Sequence, residues 1–367
     1  MIFQKDMAIS SESLRSIAWK KFRKNRLGFG SLLFIGLMTL VAILGYLITP
    51  DPTPYANDQY LELGLKKPGY SVTMLSLPAS TAGETGNSWW GTMLTGKKHK
   101  AEQIPVRAWS ERNGHILYIP LAAPPGEVTT VGSVPAGQAG KPFVKTFLLG
   151  TDRFGRDYLS LLMIGTRVSL SVGLISVAIS LVIGIFMGAV AGYYRGWVDN
   201  LVMWIINVVW SIPTLLLVIA ITFALGKGFW QVFIAVGLTM WVEVARVVRG
   251  QVLGIREKEY VEAARALGFS DYRIILRHIL PNVMAAVIVI SAANFASAIL
   301  MEAGLSFLGL GVQPPVPSWG SMIKENYGYI VLDFAYLAIL PGIAIMLMVL
   351  AFMLIGNALR DALDVRG

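Results

Sequence analysis

The stretch whose residue types and spacing best suit a specific task runs from Tyr260 to Asn282, YVEAARALGFSDYRIILRHILPN. Tyr260, Ala263, Ala264 and Leu267 recur at helical spacing, Gly268 stands where that helix would end, and Ser270 where the next would be capped. The second helix carries Ile274, Ile275 and Ile279 on one side, and Pro281 marks the entry to an apolar run. The pattern predicts two short helices joined at Gly268, too charged to enter lipid. Nothing in it is catalytic equipment. The chain has no Cys, which removes disulfides, thiolate metal sites and Cys nucleophiles. Its three His (His99, His115, His278) are scattered, and it holds no Walker P-loop, HExxH or plausibly spaced Ser-His-Asp set. On residue types alone, the segment reads first as an ordinary amphipathic interfacial helix pair with arginines facing lipid headgroups.

The elements that must position this segment are set by hydrophobicity. The chain is 55% hydrophobic and 14% charged, where a soluble domain carries about 25% charged residues, and its mean hydropathy is +0.61. Its 10 Trp, 13 Tyr and 37 Gly are residues that anchor helices at bilayer interfaces and let them pack closely. The net charge of +9 fits cytoplasmic loops of a membrane protein rather than nucleic-acid binding, since no basic patch is interleaved with aromatics on a soluble module. A first span of uncharged residues covers Gly28 to Ile48, preceded by Lys20, Lys21, Arg23, Lys24 and Arg26. By the positive-inside rule this holds the N-terminus in the cytoplasm. The run is too long for a signal peptide and ends at Thr49-Pro50-Asp51 without a small-residue cleavage site. Further spans are expected at about 168–192, 199–225, 230–252, 282–303 and 334–356. Seven basic residues between Arg246 and Arg277, and Arg360 and Arg366 in the tail, put those segments inside as well.

Residues 51–150 break this pattern, holding ten of the 17 prolines. With the N-terminus inside they lie outside, as a small domain or a partly ordered insertion. His115 to Leu121 (HILYIPL) reads as a strand and Pro124 to Gly140 as loop. Gly304 to Leu332 is too polar and proline-broken to cross, and reads as an outer loop or re-entrant segment.

Glu262-Ala263-Ala264, Gly268 six residues after the Glu, and the closing Leu280-Pro281 resemble the EAA loop of bacterial ABC importer permeases. The resemblance implies that the loop docks into a cleft on an ATPase subunit. Small residues would let the partner approach the helix backbone, and Glu262 would supply an orienting charge. His278 departs from the aliphatic residue expected there, in the manner of the peptide-transporter branch. Leu149–Asp157 (LGTDRFGRD) with Gly165–Leu170 (GTRVSL), and Gly304–Gly320, are similar to the segments before the second and last spans of that branch. Trp19–Gly28 resembles the C-type partner of the permease pair, whereas the long 51–150 insertion departs from it. Asp152, Arg156 and Asp157 are expected at the outer surface, where their alternating charges can pair with each other or contact a docking protein, or as a capped interfacial helix. Glu302 and Trp319 are outer-surface or gate candidates.

The resemblance implies an all-α polytopic membrane protein with about six transmembrane helices of the type I ABC importer permease fold and an extracytoplasmic insertion between the first and second spans. The expected division is a cytoplasmic segment 1–27, a span 28–48, an insertion 49–150, a permease core 151–356 with the coupling loop at about 254–281, and a cytoplasmic tail 357–367. It further implies a bacterial inner-membrane location, a second permease subunit, two ABC ATPase subunits that bind the ATP and Mg, and an extracytoplasmic binding protein. This chain would then carry no catalytic residue, metal or cofactor of its own. Cargo would be peptide, with nickel chelates and other small solutes open, moved by alternating access as ATP closes the ATPases. A proton-coupled secondary transporter is the rival, but it calls for repeats and buried carboxylates. Glu243 and Arg246, three apart near the inner end of the fourth span, read as an internal ion pair.

Overall fold

The computed structural model describes residues 14–78, 88–97, 101–123, 132–226 and 228–363. Residues 1–13, His99, 124–131 of the expected loop, and Arg366 in the tail lie outside them. Helix α1 (Leu14–Lys24) passes at Asn25 into α2 (Arg26–Ile48), and the segment that follows holds β1 (Tyr70–Pro78), α3 (Trp89–Thr95), β2 (Ala101–Arg112), β3 (His115–Pro120), β4 (Gly132–Pro135) and β5 (Phe143–Phe147). The helices α4 (Tyr158–Tyr194), α5 (Gly196–Trp210), α6 (Thr214–Leu225) and α7 (Phe229–Ile255) come next. The chain then forms α8 (Glu259–Ala266), α9 (Asp271–Ile274), α10 (Leu280–Phe307), α11 (Trp319–Asn326) and α12 (Tyr336–Leu363). A π-helical turn at Ile275–Ile279 joins α9 to α10, and Asp271–Phe307 counts, among the described residues, as one of five helices long and apolar enough to cross a bilayer.

The run expected as one span over 199–225 is two helices, α5 and α6, bent by 90°. Pro213 has no N–H to give and disfavours helical backbone in the residue before it, so the first helix stops at Trp210. By packing, the chain falls into two units: one takes the chain up to Leu37, Ser171–Leu305 and everything from Ile345, the other Met38–Leu170 and Ser306–Ala344.

Within the first unit, Gly184, Gly188 and Gly192 recur every fourth residue along α4. A Cβ placed on Gly184 would lie 2.5 Å from Val244 Cβ, one on Gly188 2.5 Å from the Ala245 carbonyl oxygen, and one on Gly192 2.8 Å from Val252 Cβ. Helices in lipid gain little from hiding apolar surface, so backbones that can come this close are what hold them together. Residue numbers rise together along both contact lines, so α4 and α7 run parallel. Parallel neighbours require the chain between them to recross the membrane, and α5–α6 is the apolar stretch available. The bent pair is therefore the sixth crossing.

In the second unit, the insertion forms a five-stranded antiparallel sheet of order β4-β3-β2-β1-β5. Asn113-Gly114, both at positive φ, make the two-residue turn that suits a β2–β3 hairpin. One face of β1 buries Val72 and Met74 with Tyr60, Leu63 and Phe147; the other buries Leu75 with Val106 and Ile116. Strand β4 occupies part of what the sequence reads as loop, pairing His115–Tyr118.

The turn into α4 is built from charge. Asp152 accepts hydrogen bonds from the Phe154 and Arg156 amides at 2.9 Å and from Arg156 Nε at 2.7 Å. The same guanidinium reaches Glu325 Oε2 at 3.0 Å. Asp157 caps α4, accepting from the Ser160 amide at 2.8 Å and from its hydroxyl. This cap starts α4 at Tyr158, well before the run expected at 168. Trp319 opens α11 beside a Ser318–Ser321 capping box, and its indole N–H donates to the Leu162 carbonyl at 3.1 Å.

Two outcomes follow for the purified chain in detergent. Gly188→Leu is expected to cost at least about 1–3 kcal/mol through overpacking, seen as a fall in unfolding midpoint, whereas Gly30→Leu on α2, where no atom lies within 4 Å of an added Cβ, leaves the midpoint unchanged. Arg156→Met leaves Asp152, 1% exposed, buried without its counter-charge and is expected to cost about 3–5 kcal/mol. Adding Asp152→Asn and Glu325→Gln should recover part of that loss.

Candidate functional site

Helix α8 is seated by one face. Val261 and Ala264 are buried with Ala189 and Tyr193 of α4, Val244, Val248 and Val252 of α7, and Ile274, Ile279, Val283 and Val287. The other face leaves Glu262, Ala263, Ala266 and Leu267 exposed. The Ala263-Ala264 pair therefore divides, Ala264 anchoring inward and Ala263 facing out. Among the described residues the Glu262 carboxylate makes no hydrogen bond or ion pair.

Gly268 ends α8 as the spacing predicts. Its φ of +76° lies in the left-handed region, its amide donates to the Arg265 carbonyl at 2.9 Å, and the Phe269 amide donates to the Ala264 carbonyl at 3.1 Å. These two bonds form a Schellman cap, and Phe269 packs against the Ala264 cluster as the motif's hydrophobic contact. Past the cap the expected second short helix is absent as a separate element. Ser270 takes the N-cap position but its side chain makes no capping bond, and α9 runs through the π turn into α10. Pro281 lies inside this helix rather than at its entry. Its missing N–H and its ring require room at the Arg277 carbonyl, and the helix widens into its π turn there. Leu280 is half-buried and Pro281 exposed.

Aromatic rings hold the basic side chains of the loop. Tyr193 donates its hydroxyl to Asp271 Oδ1 at 2.6 Å, and the guanidinium carbons of Arg265 and Arg256 lie 5.1 and 5.6 Å from its ring centroid. Arg273 lies 4.3 Å from the Phe269 ring, and His278 stacks on that ring at 6.0 Å, a contact that an aliphatic side chain would not make. The Asn282 amide donates to the Tyr260 hydroxyl at 3.3 Å. Arg195 pairs with Glu257 and by its hydrogen bond holds that carboxyl below the ordinary range. Burial first, then the neighbouring charges of Arg265 and Arg195, lowers the Arg256 guanidinium. These groups brace α8 against the ends of α4 and α7.

The remaining expected residues fall elsewhere. Asp152, Arg156 and Asp157 are 1%, 7% and 2% exposed, so the charges pair with each other and cap α4, as two of the readings had it, but in a buried network with Glu325 and not on an exposed surface. Trp319 is wholly buried against Leu162 and Gly165 rather than open to a path, and Glu302 is buried within α10. Glu243 and Arg246 form no ion pair: Glu243 is exposed, and the Arg246 guanidinium lies 3.9 Å from the Trp210 ring centroid. Sequence reasoning missed Tyr193 and Arg195, for which no local signal exists. It also missed the glycine ridge of α4, legible as Gly184-x-x-x-Gly188-x-x-x-Gly192.

Known proteins resemble this chain over the region that holds the α8 loop. Residues 180–366, just over half of the chain, match the model of the binding-protein-dependent transport system inner membrane component. Residues 13–68 match the N-terminal transmembrane domain of oligopeptide transport permease C. A glutathione transport system permease protein of Pectobacterium atrosepticum is 43% identical over 216 residues, covering 59% of this chain and 71% of the relative. A dipeptide transport system permease protein of Alkalihalophilus pseudofirmus is 42% identical over 215 residues, 59% and 70% of the two chains. Among solved structures, a chain of the MetNI methionine ABC transporter in an inward-facing form aligns with a TM-score of 0.47 at 19% identity, over 56% of this chain and 97% of that one. The first family match takes in the C-terminal part of α4 from residue 180, all of α7 and the whole α8 loop they seat, and the chain belongs to the binding-protein-dependent transport system inner membrane components, the membrane-spanning permease subunits of ABC importers.

Proposed function

We propose that this chain imports peptides as one of a pair of permease subunits, and that the outward face of α8 is where an ATPase subunit drives it. The observation that carries the reading is the two-sidedness of α8. Glu262, Ala263 and Ala266 stand open for a partner while Val261 and Ala264 share one apolar cluster with α4, α7 and α10. A displacement of α8 is thereby a displacement of the spans, since close-packed cores shift between discrete arrangements rather than deforming continuously. ATP and Mg are bound by two ATPase subunits, and this chain holds no cofactor and does no chemistry.

The basic residues of α1, the α7–α8 loop and the end of α12 support a cytoplasmic position for both termini and α8. Six crossings are consistent with that parity. The sheet between α2 and α4 then lies outside, on the side from which a binding protein delivers cargo. Peptide cargo is supported by the printed functions of the relatives, glutathione and dipeptide transport. ATP-driven closure of the ATPases shifts the permease pair between inward and outward forms through contacts that differ in the two states.

At Gly268 an added Cβ meets no atom within 4 Å, so substitution acts through backbone strain of about 1–2 kcal/mol. ATP-dependent uptake of a labelled dipeptide into vesicles holding the assembled transporter should therefore fall in the order Asn, Ala, Val at position 268, tracking tolerance of the left-handed region. Glu262→Ala should leave the unfolding midpoint unchanged while weakening ATPase retention on affinity purification. Normal uptake by Gly268→Val and normal ATPase retention by Glu262→Ala would together refute the docking reading. Uptake that depends on ATP but ignores every di- and tripeptide would keep the permease and discard the cargo.

A further inference from the structure

Helix α3 of the insertion turns its apolar side outward: Trp89, Trp90 and Leu94 are 55%, 62% and 57% exposed. The two indoles meet edge-on, with centroids 4.6 Å apart. Three large apolar side chains exposed on seven residues are out of place in water, and the sheet does not cover them.

The level of α3 is fixed by the spans beside it. With 23 residues, α2 is about 34 Å long, enough to fill about 30 Å of hydrocarbon, so its end at Ile48 marks a membrane interface. Tyr46 lies two residues inside that end. The Arg167 guanidinium of α4 stands 5.4 Å from the Tyr46 ring centroid and donates from Nη1 to the Met93 carbonyl of α3 at 3.1 Å. Just past α3, the Lys97 amide donates to the Pro52 carbonyl at 2.8 Å, tying the helix to the segment that leaves α2. Helix α3 is thus pinned at the depth where α2 emerges.

The chemistry of that depth matches what α3 displays. Indole rings favour the headgroup boundary, where the apolar body is shielded and the N–H stays wet. Lys97, just past α3, is exposed, and a lysine beside an apolar helix suits phospholipid headgroups. We propose that α3 is an interfacial anchor that lies in the phospholipid boundary at the C-terminal end of α2, Trp89, Trp90 and Leu94 entering the lipid. The sheet is thereby held close to the membrane surface instead of standing free above it. This rests on membrane insertion of the chain and on neither the cargo nor the α8 reading.

The chain has no cysteine of its own, so single sites can be spin-labelled in the transporter assembled with cysteine-free partners, in phosphatidylethanolamine–phosphatidylglycerol vesicles. Power saturation then compares access of oxygen, which partitions into lipid, with access of a water-soluble nickel chelate. A label at Trp90→Cys is expected to favour oxygen, as does one at Leu40→Cys on the exposed side of α2, and to lose the nickel access seen at Asn113→Cys in the hairpin turn. Nickel access at position 90 equal to that at 113 overturns the anchor in favour of an aqueous surface. Shielding from both agents overturns it in favour of a covering protein. Leu94→Cys gives a second reading should the Trp90 variant fail to assemble, and a water-exposed label at position 40 would instead mean that the chain itself is not inserted.

Discussion

The close parallel approach of α4 and α7 is the contact on which the rest of the first unit depends. Three glycines at every fourth residue remove the side chains that would hold the two backbones apart. Because the contact is parallel, the chain between must recross the bilayer, which assigns α5 and α6 their shared crossing despite the 90° bend. Because it continues to the ends of both helices, it leaves Tyr193 and Val252 side by side. Those two residues, with Val244 and Val248, form the apolar seat into which Val261 and Ala264 of α8 fit. The α8 loop is thus founded on a close helix–helix contact.

In the second unit the organising problem is opposite in kind, since charged groups there have been taken out of water. Burying a carboxylate is costly unless it is paired and hydrogen-bonded. Asp152 meets both conditions, with two backbone amides and the Arg156 guanidinium, and Glu325 shares the same arginine. The network stitches the turn before α4 to α11, two segments far apart in sequence that each carry proline or glycine irregularities. Irregular backbone close to a membrane persists where protein covers it, and this network is part of that cover.

Much of the site was legible because its signals are local. A Gly six residues after Glu262, a following aromatic and an apolar residue four before the Gly describe a helix end, and the Schellman cap at Gly268 is what those residues make. Pro213, which ends α5, and Asn113-Gly114, which turns the hairpin, are local cues of the same kind, one set in a long apolar run and the other in a proline-rich stretch. Strand β4 was not legible, because four residues acquire strand geometry here by pairing with β3 and carry little propensity of their own. The burial of Asp152, Arg156 and Asp157 was equally hidden, since a charged trio near a span looks the same whether its partners are solvent, another protein or Glu325.

What the amino-acid sequence determined by itself was the membrane environment, the approximate spans and the helix end at Gly268 in the loop of residues 260–282, all properties carried by residue type and short-range spacing. What only the tertiary structure decided was which way each of those residues faces. Ala263 and Ala264 are chemically identical neighbours, yet one is exposed and the other is sealed against α4, α7 and α10, because consecutive residues on a helix point about 100° apart and the direction of the core is set by contacts distant in sequence.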